Sequence, residues 1–522
     1  MSPRVVIVGP PAAGKSTVAA LLAERLGVGL VDSDELIAEE HGRPCGEVFA
    51  ELGEPEFRRA EERAVARALA SGGVVSLGGG AVISTATRRL LADLPVAWLD
   101  VSAAEAVRRT SGDDSRPVLQ AEDPLAHYEN LLRERRGFYE DAASFRVSTD
   151  DATPEEAAAR IAAALPREVR VEGEAGYPVT IGRGVLPVAA ARVAELGAGR
   201  CLVVAQPALR GLADRLSGHL SRRGIVATIA ELPDAEAGKT SDVLVGLWDR
   251  LAEAGLGRGD AVIGVGGGAA TDVAGFAAAT WMRGVPVVQV PTTLLAMVDA
   301  AVGGKTGINT PAGKNMVGAF HPPAAVVADL AALDGLPRAE LVAGFAEVLK
   351  AGFISDTRIL ELVEDDPKAA LDPEGALPEL IERAVAVKAR VVGEDLKEAG
   401  PREALNYGHT FGHAVELRER FAWRHGDAVG LGMLFEAHLA RECGLIDDAL
   451  VERHERDLKL LGLPTTYEDG AFDELLAGMA RDKKNRNGVI RFVALDGRAG
   501  ATTRLDGPPE DALRAAYARI AR

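Results

Sequence analysis

In the run Asn406-Tyr407-Gly408-His409-Thr410-Phe411-Gly412-His413, followed by His425-Gly426-Asp427, three of the chain's nine histidines fall close together. If the run is helical, as Ala414-Val415-Glu416-Leu417 indicates, His409 and His413 share one face, a spacing that lets two imidazoles converge on one centre. A catalytic zinc takes three N or O ligands and keeps one position open, so a third histidine and a carboxylate are sought nearby. His425, and Glu347 in Gly344-Phe345-Ala346-Glu347-Val348-Leu349-Lys350, can supply them. The same spacing also suits an ordinary hydrogen-bonded helix face, and the pair alone does not separate the two readings.

A second constellation opens the chain. The β-branched run Arg4–Val8 feeds Gly9-Pro10-Pro11-Ala12-Ala13-Gly14-Lys15-Ser16-Thr17 and then a helical pattern, Val18 to Leu26. This is G-x-x-x-x-G-K-S in its strand-loop-helix setting: backbone amides wrap phosphate oxygens, Lys15 adds a point charge, and Ser16 reaches Mg²⁺. A second strand, Gly29-Leu30-Val31, ends at Asp32-Ser33-Asp34, which puts two carboxylates at the carboxyl edge of a parallel sheet. One acid can hold metal-bound water while the other accepts a hydroxyl proton. Val74–Leu77 then runs into Gly78-Gly79-Gly80, an edge without side chains that a ligand can approach closely. Taken singly, Arg58, Arg116 and Arg135 read as solvated surface residues.

The scaffold holding these residues is large. At 522 residues the chain exceeds one core, and 47% hydrophobic with 26% charged residues is ordinary for a globular protein. A net charge of −18 disfavours nucleic acid and anionic membranes as partners, though not local basic pockets for small anions. Cys45, Cys201 and Cys443 are few and far apart, so a reducing cytosol is expected. The chain enters a strand directly, with no signal core and no membrane-length apolar run, which implies a cytoplasmic protein.

Domain boundaries follow the texture. Thr153-Pro154-Glu155-Glu156 begins a closing helix that Pro166 ends, giving a unit over 1–166. Strand and helix patterns then alternate through Cys201–Ala205, Val226–Leu232, Ala261–Val265 and Val287–Val290, giving a parallel α/β layer over 167–335. Gly266-Gly267-Gly268 opens a helix that includes Asp272, and Pro291-Thr292-Thr293 ends the next strand. The glycines can seat a pyrophosphate or can be a structural turn. Asp299 to Asn315, with Lys305, Asn309 and Lys314 among glycines, reads as a long phosphate-binding loop or a polar surface loop. From 336 to 522 helical periodicity dominates, and Glu347, Lys350, Lys388, Arg402, Asn406, His409, His413 and His425 could project into one cleft.

Two families now account for these motifs. Residues 1–165 resemble shikimate kinase, through the glycine-rich loop, Asp32-x-Asp34, Phe57-Arg58, Gly78-Gly79-Gly80, Ser115-Arg116-Pro117-Val118-Leu119, and Arg135 with Tyr139. The resemblance implies that Gly9, Gly14, Lys15, Ser16, Thr17 and Arg116 bind ATP, with Ser16 and Asp32 on Mg²⁺. Asp34, Arg58, Gly80 and Arg135 would hold shikimate, Asp34 as base and Lys15 as the main catalytic charge. Ala12 stands where that family commonly has glycine, a minor change if its backbone angles stay negative. Asp150-Asp151 stand where many relatives carry an adenine-stacking arginine.

Residues 169–500 resemble 3-dehydroquinate synthase, through Gly266–Asp272, Val290–Leu295, Gly303-Gly304-Lys305-Thr306, Gly313–Met316, Ala346–Lys350, Leu405–Ala414, His425-Gly426 and Asp482-Lys483-Lys484. The resemblance implies zinc or cobalt on Glu347, His409 and His425, and NAD on Asp234, Glu236, Lys239, Gly268, Asp272, Thr292, Thr293, Lys305 and Lys314. Asp299, Lys305, Lys350, Lys388 and His413 would act on the substrate, with His413 a proton shuttle and not a ligand. Arg283, Lys314, Asn315, Arg402, Asn406 and Lys483 or Lys484 would bind heptulosonate phosphate. The expected protein is a P-loop kinase with a parallel sheet, fused to an α/β NAD-binding domain and an all-helical metal-binding domain. It would phosphorylate shikimate with ATP, convert heptulosonate phosphate to 3-dehydroquinate plus phosphate, and form a homodimer through the synthase half. The alternative keeps the kinase but makes the second half another sugar-phosphate cyclase or a polyol dehydrogenase.

Overall fold

The structure, a computed structural model, describes residues 2–110, 123–173, 175–311, 313–398, 400–481 and 489–522. The chain divides into two compact units: residues 1–166 with 182–187, and residues 167–181 with 188–522.

The first unit is built on β1 (Pro3–Val8), β2 (Leu30–Asp32), β3 (Gly73–Ser76), β4 (Val96–Asp100) and β5 (Phe145–Ser148), in the order β2-β3-β1-β4-β5. All pairings are parallel. Valines fill the centre because such a sheet is covered by helices on both faces and its middle strands never meet water. The order reverses direction at β1, so the loop after β1 lies at the switch point where ligands of open α/β sheets bind. The closing helix Pro154–Ala164 starts with a reciprocal capping box between Thr153 and Glu156.

The second unit has a seven-stranded sheet made of β6 (Arg167–Val171), β7 (Tyr177–Gly182), β8 (Arg200–Ala205), β9 (Val226–Glu231), β10 (Ala261–Gly266), β11 (Val287–Pro291) and β14 (Ala325–Asp329). Their order is β6-β7-β14-β11-β10-β8-β9, and the run from β14 to β9 is parallel. The segment expected as an irregular loop is instead an antiparallel hairpin, β12 (Lys305–Thr310) with β13 (Gly313–Phe320). Glycines hid it: Gly307 and Gly318 stack backbone on backbone across the ladder, where a Cβ on Gly318 would lie 2.0 Å from the Thr306 carbonyl oxygen.

Beyond 336 the chain is helical, with Arg338–Ile354, Leu377–Glu394, His409–Arg418, His425–Glu442 and Asp448–Leu461 carrying the mass. The all-helical expectation needs one correction, since β15 (Arg491–Asp496) and β16 (Arg498–Asp506) form a hairpin. Its β16 alternates exposed and half-buried residues, a period-2 pattern that polar composition had disguised. One apolar cluster runs from Tyr177 and Val326 of the sheet through Phe345, Phe411 and Phe435 of the helices.

Inside that core lies His454, fully buried and stacked on Phe353 with ring centroids 3.6 Å apart. Its Nδ1–H donates to Leu450 O at 2.7 Å, which leaves Nε2 to accept from the Tyr407 hydroxyl at 2.9 Å. The ring therefore pins Tyr407, two residues ahead of His409. Burial drives its pKa from 6.5 down to about 3, against the opposing bond to Leu450. Above pH 6.5 the unfolded ring is neutral too, so full stability is retained there. Below about pH 6.5 the unfolded chain takes up a proton that the folded ring refuses, costing up to about 1.4 kcal/mol per pH unit. Denaturant unfolding from neutral pH down to about pH 5 should show the wild type losing stability at this slope relative to His454→Phe; parallel curves would contradict the assignment.

Candidate functional site

Three helices bring the metal-competent residues together. His409 and His425 each begin a helix, and Glu347 lies in the middle of Arg338–Ile354. The helices meet backbone to backbone: a Cβ on Gly426 would lie 1.7 Å from Ala343 O, and one on Gly432 would lie 1.9 Å from Gly408 O. Ala343 is one turn before Glu347, so the Gly426 contact holds His425 beside that carboxylate. Glu347 Oε1 is 3.6 Å from both His409 Nε2 and His425 Nε2. That is too long for a hydrogen bond, and among the described residues the buried oxygen has no hydrogen-bond partner. Ligands about 2.1 Å from a tetrahedral ion lie about 3.4 Å apart, so the spacing fits three donors around one cation.

The rings are turned for that task. His409 Nδ1–H donates to Tyr407 O at 3.2 Å and His425 Nδ1–H to Glu416 Oε2 at 3.1 Å, which aims both Nε2 atoms at Glu347. Burial would lower the His425 pKa, but the Glu347 and Glu416 carboxylates raise it to about 10, the mark of a site that favours positive charge. His413 stands apart from this trio. Ring distance does not set it apart, since its centroid is 5.3 Å from that of His409 and the His425 centroid is 5.4 Å away; the difference is that its ligand atoms group with Glu416 and His425 and not with Glu347.

Other expected residues gather around the centre. Lys350 pairs with Glu347 Oε2, and Lys388 pairs with Asp299. Burial alone would raise the Asp299 carboxyl, but Lys388 and Lys350 hold it far below the usual range; burial lowers Lys388 in turn. Arg402 is almost wholly buried, donating to Leu396 O at 2.6 Å and to Gly303 O at 3.4 Å. Lys305 and Asn406 both reach the Glu398 carboxylate. Glu398 and Glu416 were missed in the sequence. Glu416 falls seven residues after His409 on the same helix face, a signal that was available.

At the sheet edge, Lys239 is buried and donates to Asp272 at 2.6 Å and to Asn315. Burial raises Asp272 to about 6 against the pull of Lys239. Gly268 opens its helix, and Thr292 N–H donates to Gly266 O at 3.0 Å. The Thr293 hydroxyl accepts from Ala296 N–H. Glu236 accepts from Asn309, whereas Asp234 is exposed at the start of the Ala235–Gly238 turn. Lys314 reaches towards the metal helices, 3.6 Å from Glu416 Oε1 and over the Phe421 ring. Arg283 is not brought in: it is exposed past the far end of Gly268–Thr280, with φ 69°. Lys483 and Lys484 lie outside the described residues.

In the first unit, Gly14 caps its helix at φ 83° and Lys15 Nζ donates to Gly9 O at 2.9 Å and Pro10 O at 3.1 Å. Ser16 Oγ is 3.4 Å from Asp32 Oδ2, and Asp32 Oδ1 accepts from Asp34 N–H, so the expected Mg²⁺ pair is adjacent. Asp34, Arg58 and Arg135 converge on the glycine run. A Cβ on Gly78 would meet Asp34 Oδ1 at 2.5 Å, one on Gly80 would meet Arg58 at 2.3 Å, and Arg135 reaches Gly79 O at 3.5 Å. Burial, then the neighbouring Asp32, raises the Asp34 pKa, which suits an acceptor of a hydroxyl proton. Thr17, Arg108, Arg109 and Asp150 line a cavity of about 440 Å³ beside the loop. Arg109, held by Glu105 and Thr149, puts a guanidinium on the side where Asp150 had suggested none. The expectation for Ala12 is corrected: its φ is +64°, not negative. Arg116 lies outside the described residues.

A parallel sheet with a glycine-opened helix, joined to helices that focus two histidines and a glutamate, defines a dinucleotide-type enzyme with a metal centre. Residues 229–343 match the family model for the N-terminal part of 3-dehydroquinate synthase and residues 344–485 that for its C-terminal part, while residues 11–166 match that for shikimate kinase. The 3-dehydroquinate synthase of Corynebacterium jeikeium (strain K411) is 56% identical over 353 residues, covering 67% of this chain and 96% of that one. That of Mycolicibacterium vanbaalenii is 57% identical over 358 residues, covering 68% and 99%. Among solved structures, 2-deoxy-scyllo-inosose synthase complexed with carbaglucose-6-phosphate, NAD⁺ and Co²⁺ aligns with TM-score 0.61 and 25% identity, covering 68% of this chain and 100% of that one. The 2-epi-5-epi-valiolone synthase from Streptomyces hygroscopicus subsp. jinggangensis 5008, with NAD⁺ and Zn²⁺ bound, aligns with TM-score 0.58 and 27% identity, covering 62% and 91%. The chain belongs to the 3-dehydroquinate synthase family and carries a shikimate kinase domain ahead of it. It is a kinase and a lyase in one polypeptide.

The geometry separates the histidines. His409→Ala should lose bound zinc by elemental analysis, whereas His413→Ala should keep zinc and lose turnover; equal zinc loss in both would overturn the division.

Proposed function

We propose that the first unit, residues 1–166, phosphorylates shikimate with ATP, and that the second converts 3-deoxy-D-arabino-heptulosonate 7-phosphate to 3-dehydroquinate and phosphate. In the second, 167–335 would hold NAD and 336–522 the metal and most substrate contacts. The carrying observation is the buried Glu347 Oε1, 3.6 Å from two imidazoles and without a hydrogen-bond partner among the described residues, with the Lys350, Lys388 and Asp299 charges beside it. Identity of 56–57% to 3-dehydroquinate synthases, against 25–27% to the two other cyclases, favours this substrate.

Glu347, His409 and His425 would hold zinc or cobalt, and Lys239, Asp272, Gly268, Thr292 and Thr293 would line the NAD side. When bound, the metal polarises a substrate hydroxyl and NAD⁺ takes up and returns a hydride, so the nucleotide is not consumed. Lys305, Lys314, Asn315, Arg402 and Asn406 would orient the anionic ends of the substrate. Asp299, Lys350 and Lys388 form a ready-charged set that can pass a proton without importing water, and His413 stands at the rim for a second transfer. In the kinase, Asp34 would accept the hydroxyl proton, Arg58 and Arg135 hold the carboxylate, and Lys15 neutralise the transferring phosphoryl group beside Mg²⁺ on Ser16 and Asp32.

A homodimer through the second unit is part of this reading. Met282, Met316, Val317 and Phe320 are exposed large apolar residues there. A cytoplasmic location accords with three free cysteines, and among the described residues no helix is long and apolar enough to cross a membrane.

Heptulosonate phosphate with NAD⁺ and zinc should release phosphate without net NADH, followed by phosphate assay and absorbance together; stoichiometric NADH would indicate a dehydrogenase instead. Lys15→Ala should abolish shikimate phosphorylation and leave phosphate release from heptulosonate phosphate near wild type, and loss of both in a folded chain would defeat the independence of the units.

A further inference from the structure

Glu416 is not among the three ligand candidates, yet it is 5% exposed and bonded to one of them. It lies on the helix His409–Arg418, at the position that shares a face with His409 and His413. Its Oε2 accepts from His425 Nδ1–H at 3.1 Å, and its Oε1 is 3.6 Å from Lys314 Nζ on β13. His425 starts a separate helix and its side chain is 28% exposed, so its ring orientation is set from another element by the bond to Glu416. His409 differs, since its Nδ1–H is satisfied by the backbone carbonyl of Tyr407.

We propose that Glu416 is the positioning residue of the metal centre: it fixes the tautomer and ring angle of His425, so that Nε2 meets Glu347 Oε1 across the ion. This inference rests on the reading of Glu347, His409 and His425 as the ligand trio. A carboxylate behind an imidazole holds the ring in its ligating orientation and strengthens it as a donor, and losing such a partner weakens metal binding by about 10–100-fold. Because His413, Glu416 and His425 also bring ligand atoms within 4.8 Å of one another, direct ligation by Glu416 is the competing arrangement.

The full-length chain is stripped of metal and titrated with Zn²⁺ alone against a competing chelator, as wild type, Glu416→Ala, Glu416→Gln and Glu347→Gln. Wild type should bind one zinc ion per chain and Glu347→Gln should lose it. Glu416→Ala should weaken binding by about 10–100-fold, with Glu416→Gln in between, and the d–d bands of the Co²⁺-loaded chain should shift in both. A role confined to packing would lower the melting temperature of the metal-free variants and leave zinc affinity and the Co²⁺ spectrum unchanged, and this outcome overturns the proposal. So does a second zinc ion that Glu416→Gln abolishes, which would make Glu416 a ligand. If Glu416→Ala does not fold, Glu416→Gln decides. A wild type that takes up no zinc removes the trio itself, which separates failure of that reading from failure of this one.

Discussion

The second unit depends on helices approaching one another more closely than side chains allow. Ordinary helix packing keeps axes about 8–10 Å apart, because ridges of side chains intervene. Here Gly408, Gly412, Gly426 and Gly432 remove those ridges, and the backbones of three helices meet directly. Gly344, on the Glu347 helix, does the same towards Leu295, where a Cβ would lie 2.7 Å from the backbone nitrogen. One helix thereby touches both the histidine pair and the segment leading to Asp299. The metal trio and the proton-handling set are two faces of that single approach.

Burying so many charges has a cost that the arrangement offsets by pairing. Lys350 with Glu347, Lys388 with Asp299, and Lys239 with Asp272 are each largely removed from water. Such pairs rarely add stability, because desolvation of two ions roughly cancels their attraction. Their value lies in preorganisation: charges already stripped of water need no solvent rearrangement when a substrate arrives. Glu347 is the exception within the set, since one oxygen is paired and the other has no hydrogen-bond partner among the described residues.

Much of this was legible before the fold was known, because the chemistry sits in contiguous runs. Gly9–Thr17 and Asn406–His413 each carry their own local structure, and both took the expected form. What was hidden is long-range or masked by composition. The β12–β13 hairpin has glycine where strands usually show β-branched residues, so its period was faint. Glu416 and Glu398 were not singled out, because their partners, His425 and Lys305, come from other elements. Arg283, placed near the substrate phosphate by the family resemblance alone, is exposed in this chain, and its role stays a proposal. His454 gave no signal at all, since a lone histidine in a helical pattern is usually solvated.

Ala12 gives the phosphate loop a different character from its glycine-rich kind. Left-handed backbone costs a residue with a Cβ roughly 1–2 kcal/mol, so this φ of +64° is not one the local sequence prefers. It is imposed from outside: Ala12 is buried, Tyr128 donates to the carbonyl of Pro11, and Arg109 reaches that of Ala12. The loop is thus shaped by residues from two distant helices and holds the conformational energy they supply. Its rigidity is a property of the folded unit as a whole, and any loosening of the Tyr128 and Arg109 helices is felt first as relaxation of the nucleotide cradle.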